Sequence, residues 1–79
     1  MSNNTVNVKV NPTLYPHLLS QNVKVYEFNT TTNTYTFLGV SQVDGEGNCS
    51  FNTLGTGTYF LTTMDAPVWD KSNAKLVYS

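Results

Sequence analysis

Between residues 34 and 64 the chain reads TYTFLGVSQVDGEGNCSFNTLGTGTYFLTTM, and in three stretches of it every second residue is apolar. Period-two alternation marks an extended strand with one buried face, because successive side chains of a strand point to opposite sides; an amphipathic helix would need apolar residues three and four apart. The segment therefore predicts three β-strands, joined by a turn of glycines and acids and by a second glycine turn. Tyr35 with Phe37, Cys49 with Phe51, and Tyr59 with Leu61 are expected to share one face and meet in a common core.

The same rule reads the flanks. TVNVKV at 5–10 sets Val6, Val8 and Val10 against Asn7 and Lys9, which predicts a strand. Asn11, Pro12 and Pro16 then forbid a regular element, so the connection is a loop with at most a short turn of helix near 17–20. NVKVYEF at 22–28 puts Val23 and Val25 on one side and Lys24, Tyr26 and Phe28 on the other. Apolar groups on both faces predict a central strand, or one partly covered by the preceding loop. After the polar turn NTTTN, the strand at 34–40 completes a hairpin whose arms hold Tyr26, Phe28, Tyr35 and Phe37. Gly39 predicts a bulge there, shifting the alternating set from Phe37 to Leu38 and Val40. DGEGN at 44–48 is the next turn, 49–54 the fourth strand, Gly55-Thr56-Gly57 a turn, and 58–64 the fifth strand. Further on, Val68-Trp69 is a short apolar pair, and AKLVY at the end reads as a last edge strand after a turn at 70–73. Short, evenly spaced strands with no amphipathic helix predict an all-β domain, a small antiparallel β-sandwich of about six to seven strands.

Seventy-nine residues make one domain, 1–79, and a chain this short buries only roughly 60 to 65% of the surface its unfolded form exposes. Ten aromatic residues are available for the core, and filling it is the expected use of most of them. The four lysines, five acids and no arginine form no block of one sign, which excludes nucleic acid as an expected partner, since phosphate binding needs clustered cations. Asn and Thr together exceed a quarter of the residues, giving a neutral polar exterior suited to strands and turns. A single cysteine permits no intrachain disulfide. No apolar run reaches membrane-spanning length and no signal-peptide pattern is visible, so membrane insertion is not expected.

VKVYEFNTTTNTYTFLG followed by VDGEGNCSFNTLGTGTYFLTT resembles the small immunoglobulin-like or prealbumin-like β modules of secreted Gram-positive surface proteins and cellulosome-associated proteins. The likeness lies in the V-x-V-Y strand at Val23, the D-x-x-G turn at Asp44, the strand with alternating Phe, and the G-x-Y strand at Gly57, and it spans residues 23–63. It implies an extracellular or cell-surface spacer or accessory domain, excised from a larger protein and contacting that protein's neighbouring domains. Some relatives carry a Lys to Asn isopeptide crosslink; Lys9 or Lys24 would supply its lysine, but no motif fixes the Asn or the catalytic carboxylate, so the crosslink is not carried over.

Residues with reactive potential read mostly as structural. Asp44, Glu46 and Asn48 sit at positions one, three and five of a calcium loop, yet Cys49 stands where glycine belongs and Gly55 where the bidentate Glu belongs; a plain hairpin turn is the expected reading, with no metal or other cofactor. Cys49 and His17 are the one thiol and imidazole, but Cys49 shares an alternating face with Phe51, the place of a buried inert thiol. No nucleophile elbow or metal-ligand cluster is present, so the chain is not expected to be an enzyme. Triplets of the N-glycosylation type at Asn3, Asn29 and Asn48 are what so Asn- and Thr-rich a sequence contains by chance.

The expectation is a noncatalytic structural or interaction module. Its principal alternative is a carbohydrate-binding module in which Tyr26, Tyr35 and Trp69 stack on sugar rings beside Asn side chains; a third is a phage or virus structural protein assembling through edge strands. Polysaccharide or another protein are accordingly the further partners considered.

Overall fold

The computed structural model describes residues 4–53 and 56–78, and within them the chain forms six strands and one short helix. The strands are β1 (Asn4–Lys9), β2 (Gln21–Asn29), β3 (Thr34–Val43), β4 (Asn48–Thr53), β5 (Gly57–Thr63) and β6 (Ala74–Tyr78). A 3-10 turn, Pro16–Leu18, opens on proline, whose fixed φ suits a first helical position. Two antiparallel sheets result: β1 pairs with β4, while β3, β2, β5 and β6 lie side by side in that order. The fold is thus the all-β small sandwich that the alternation predicts, with β2 central. The predicted end of the fourth strand at Leu54, the Gly55 of the following turn and Asn3, the acceptor of the first triplet, lie outside the described residues.

The core between the sheets is mainly aliphatic. β1 contributes Val6, β2 contributes Val23 and Val25, β5 contributes Leu61, and Val10 and Leu18 from the proline-rich loop seal one end. Among the described residues two rings are buried in it, Phe51 and Tyr59, whose centroids are 5.3 Å apart, and Tyr15 packs half-buried against it. Tyr59 is buried with its hydroxyl satisfied: it donates to the Thr56 carbonyl at 2.9 Å and takes a bond from Thr53 Oγ1 at 2.9 Å, as a buried phenol requires.

Two expectations are corrected here. Tyr35 and Phe37 do not join the core, and most aromatic residues do not fill it. The pairing of β3 with β2 gives the reason: Tyr35 lies opposite Phe28 and Phe37 opposite Tyr26, and directly opposed residues of an antiparallel pair project to the same side. Because Val23 and Val25 take the inner side of β2, Tyr26 and Phe28 take the outer side and carry Tyr35 and Phe37 with them. The bulge at Gly39 is present, since Val25 faces Gly39 and Tyr26 faces Phe37, leaving Leu38 as the extra residue. Before it the odd-numbered residues of β3 point outward; beyond it Ser41 and Val43 point inward, opposite Val23 and Gln21. Val40 therefore faces outward with Lys24 and does not join the core.

The connections are closed by side-chain oxygens accepting from nearby backbone amides. Asn11 caps Thr13 and Leu14, Asn29 caps Thr31 and Thr32, Asp44 caps Glu46 and Asn48, and Asp70 caps Ser72. Each is an Asx turn, a local substitute for a backbone turn. The Asp44 turn is docked on the opposite loop by Val10 N–H donating to the Gly47 carbonyl at 2.8 Å. At Gly47, with φ of +95°, a Cβ would collide with the Val10 carbonyl, so glycine is required by both conformation and space.

Candidate functional site

Strand register resolves the outer surface of the four-stranded sheet into rows. The first row, from β3 to β6, is Tyr35, Phe28, Thr58 and Val77; the second is Phe37, Tyr26, Phe60 and Lys75; the third begins Val40, Lys24 and Thr62. Five aromatic rings thus occupy adjacent positions, and they touch. Phe28 and Tyr35 have centroids 4.8 Å apart, Tyr35 and Phe60 5.4 Å, Tyr26 and Phe37 5.6 Å, and Phe28 and Phe60 6.1 Å. Their mutual tilts of 44° to 80° are the offset and edge-to-face arrangements that the ring quadrupole favours. Lys24 Nζ lies 5.8 Å from the Tyr26 centroid, within cation–π range.

This cluster is open to water on its outer side. Phe37 is 54% exposed, Val40 56% and Val77 73%, while Tyr26, Phe28 and Phe60 are half-buried against one another. At the far end of the face Thr62 is fully buried, so the open portion is the first two rows together with Val40 and Lys24. The outer surface of the two-stranded sheet is different in kind: Thr5, Asn7, Lys9, Asn48, Ser50 and Asn52 point out, all polar and all exposed, with Thr5 Oγ1 donating to Asn52 Oδ1 at 3.0 Å. One flank of the sandwich is a hydrated polar surface and the other a contiguous aromatic one. Scattered exposed apolar residues are ordinary, whereas a contiguous patch of this sort marks a contact surface.

Of the three residues read from the sequence as sugar-stacking, the structure brings two onto this face. Tyr26 is in the second row against Phe37, and Tyr35 in the first against Phe28 and Phe60. Trp69 lies in the connection between β5 and β6, 76% exposed, and is paired with no other ring among the described residues. Sequence reasoning passed over Phe37, Phe60 and Val77 as members of the face. The signal available was the apolar character of both sides of the second strand, which identifies a sheet with two apolar surfaces but not their extent.

The remaining candidates are held in structural roles. Asp44 Oδ1 accepts from the Glu46 and Asn48 amides at 2.9 and 2.8 Å and Oδ2 from Asn48 Nδ2 at 3.1 Å, so its oxygens face its own turn. The bonds from Asn48 and then Glu46 hold this carboxyl below its ordinary value. Cys49 is buried, and burial pushes its thiol up, away from the reactive thiolate. Its Sγ is 3.4 Å from Ser41 Oγ, whereas His17 Nε2 bonds to the Ser72 carbonyl, so each is engaged elsewhere. Asp70 is likewise held low by the Ser72 amide.

Two open clefts flank β4. One of about 320 Å³ opens between the sheets at the bulge, lined by Val25, Leu38, Phe51 and Asn52 among others, without a titratable side chain. The other, about 450 Å³, contains Asp44 and Cys49, the groups just described. Among the described residues no three His, Cys, Asp or Glu side chains gather as a metal site, and no helix is long and apolar enough to cross a membrane. Comparison of the chain with protein-family models, with curated proteins and with solved structures finds no match.

Proposed function

We propose that this chain is a noncatalytic interaction module that docks through the outer face of its four-stranded sheet, as part of a larger protein acting outside the cell. The observation that carries this reading is the outward-facing aromatic cluster of Tyr26, Phe28, Tyr35, Phe37 and Phe60, with Tyr35 and Phe37 exposed and the other three half-buried, set on the sheet and bordered by Lys24 and Lys75. Its occupant is a protein surface in preference to a polysaccharide. A sugar platform needs rings lying flat and side by side with hydroxyl-binding groups around them, whereas these rings stand at 44° to 80° to one another and their row neighbours include only Thr58 as an uncharged polar group. The extracellular setting is supported by the Asn- and Thr-rich, sparsely charged composition and by the likeness to secreted β modules.

The anionic aromatic dye 8-anilinonaphthalene-1-sulfonate tests the face, since its rings suit the cluster and its sulfonate the flanking lysines. At about 1 μM protein, far below where weak complexes persist, the native chain should enhance dye fluorescence and the Phe37→Ser/Val77→Ser variant should not. Equal enhancement by both, or none by either, removes the reading. Soluble polysaccharides that quench Trp69 and compete with the dye would replace it with the carbohydrate-binding alternative.

A further inference from the structure

We propose that the partner seated on this face is a second copy of the chain, placed sheet on sheet about a two-fold axis that runs along the strands between β2 and β5. The inference rests on the docking face described above and names its occupant. A closed dimer of this kind uses one patch twice, so the patch must complement itself. The rows meet that condition. About this axis each row lies against the same row of the copy in reverse order, so Tyr35 meets the partner's Val77, Phe28 its Thr58, Tyr26 its Phe60, and Phe37 its Lys75.

Charge selects this arrangement. The two complete rows contain one ammonium and no carboxylate, and Lys24 adds a second ammonium at the boundary. The axis along the strands sets Lys75 over the partner's Phe37 ring, a cation–π contact, and opposes no like charges. An axis across the strands would set Lys75 on Val77, removing an ammonium from water without a partner. Sheets that pack face to face rotate by about 30° because each is twisted. At the edge strands that displaces facing positions by about one residue, which a lysine side chain spans.

Area is consistent with a weak, specific dimer. The exposed parts of the five rings, Val40 and Val77 amount to roughly 500 Å² per copy, so two copies cover about 1,000 Å², the lower bound of specific interfaces. An interface at that bound belongs with weak, transient complexes, which come apart at the protein concentration of the dye test.

Sedimentation analysis from about 5 μM to 0.5 mM protein reads the outcome directly. The weight-average mass should rise from 8.8 kDa toward twice that value. Phe37→Lys sets a second ammonium against the partner's Lys75 and should raise the dissociation constant at least tenfold, and Val77→Lys should weaken the dimer as well. Adding Lys75→Glu to Phe37→Lys places opposite charges together and should recover most of the loss; only this geometry gives that rescue. Far-UV circular dichroism confirms that each variant is folded. A single 8.8 kDa species at the highest concentration, or a dimer indifferent to Phe37→Lys, overturns the proposal. If the dye still binds the monomer, the docking face stands with another occupant; if it does not, both readings fall.

Discussion

At the scale of single residues, the turns are set by carboxylates and amides that hydrogen-bond their own backbone. Asp44 is the most committed, with two amide N–H groups and one side-chain amide aimed at it. Those bonds hold its carboxyl below the ordinary aspartate value in the fold, and the unfolded chain loses them and returns to it. A depressed folded value means that the unfolded chain takes up the proton first as pH falls. The stabilisation is therefore complete above the unfolded value and is lost as pH drops below it. Acid should lower the urea midpoint of the native protein between pH 5 and pH 3, and Asp44→Asn should flatten that dependence. Asp70, held low by Ser72, supplies part of the remaining slope. An Asp44→Asn profile as steep as the native one would mean that the turn is not held by the ionised carboxylate. This residue was legible in advance as a turn former, because DGEGN combines glycines for positive φ with an Asx acceptor. Its depressed acidity was not, since that depends on how many N–H groups converge on it.

At the scale of elements, existence was far easier to read than facing. The first five strands announced themselves by alternation, the sixth only as an apolar stretch after a turn, and the break at Gly39 announced a bulge. Which side of each strand is buried is a property of pairing, and a period of two says only that the sides differ. For β4 the apolar set is unambiguous, and Cys49 and Phe51 are buried as expected; in β5, Tyr59 and Leu61 are buried as expected while Phe60 between them faces out. β3 carries apolar residues of both parities around its bulge, so only its register with β2 decides that Tyr35 and Phe37 face out. The bulge is thus what lets one strand serve the outer face with its first half and the core with its second. Gly39 has φ of +146° with nothing within 4 Å of a Cβ built there, so substitution is opposed by backbone conformation and not by crowding. Gly39→Val should cost about 1–3 kcal/mol in urea unfolding, with amide shifts concentrated at Val25, Tyr26, Phe37 and Leu38. A neutral outcome would show that the strand can pair without this bulge.

For the whole molecule, the telling property is that the sandwich has an inner and an outer apolar layer of different character. The inner layer is aliphatic, closed on both sides and lined by Val, Leu, Phe51 and Tyr59; the outer is a sheet of rings covered on one side only. A domain of this size has little stability in reserve, so placing five rings at the surface withholds them from the core. If the outer layer existed for stability, removing a ring from it would weaken the fold as much as truncating the core. Leu61 is fully buried, and Leu61→Ala should cost about 2–5 kcal/mol through lost transfer energy and a cavity. Phe37 is half in water and its ring has one aromatic neighbour, Tyr26, so Phe37→Ser should cost only about 0.5–1.5 kcal/mol. Urea midpoints of the two variants, measured at about 1 μM to keep association out of the comparison, decide between surface and core. A Phe37→Ser cost equal to that of Leu61→Ala would make the outer rings a second core. A cost several times smaller leaves their exposure without a folding explanation, and contact with another surface supplies one.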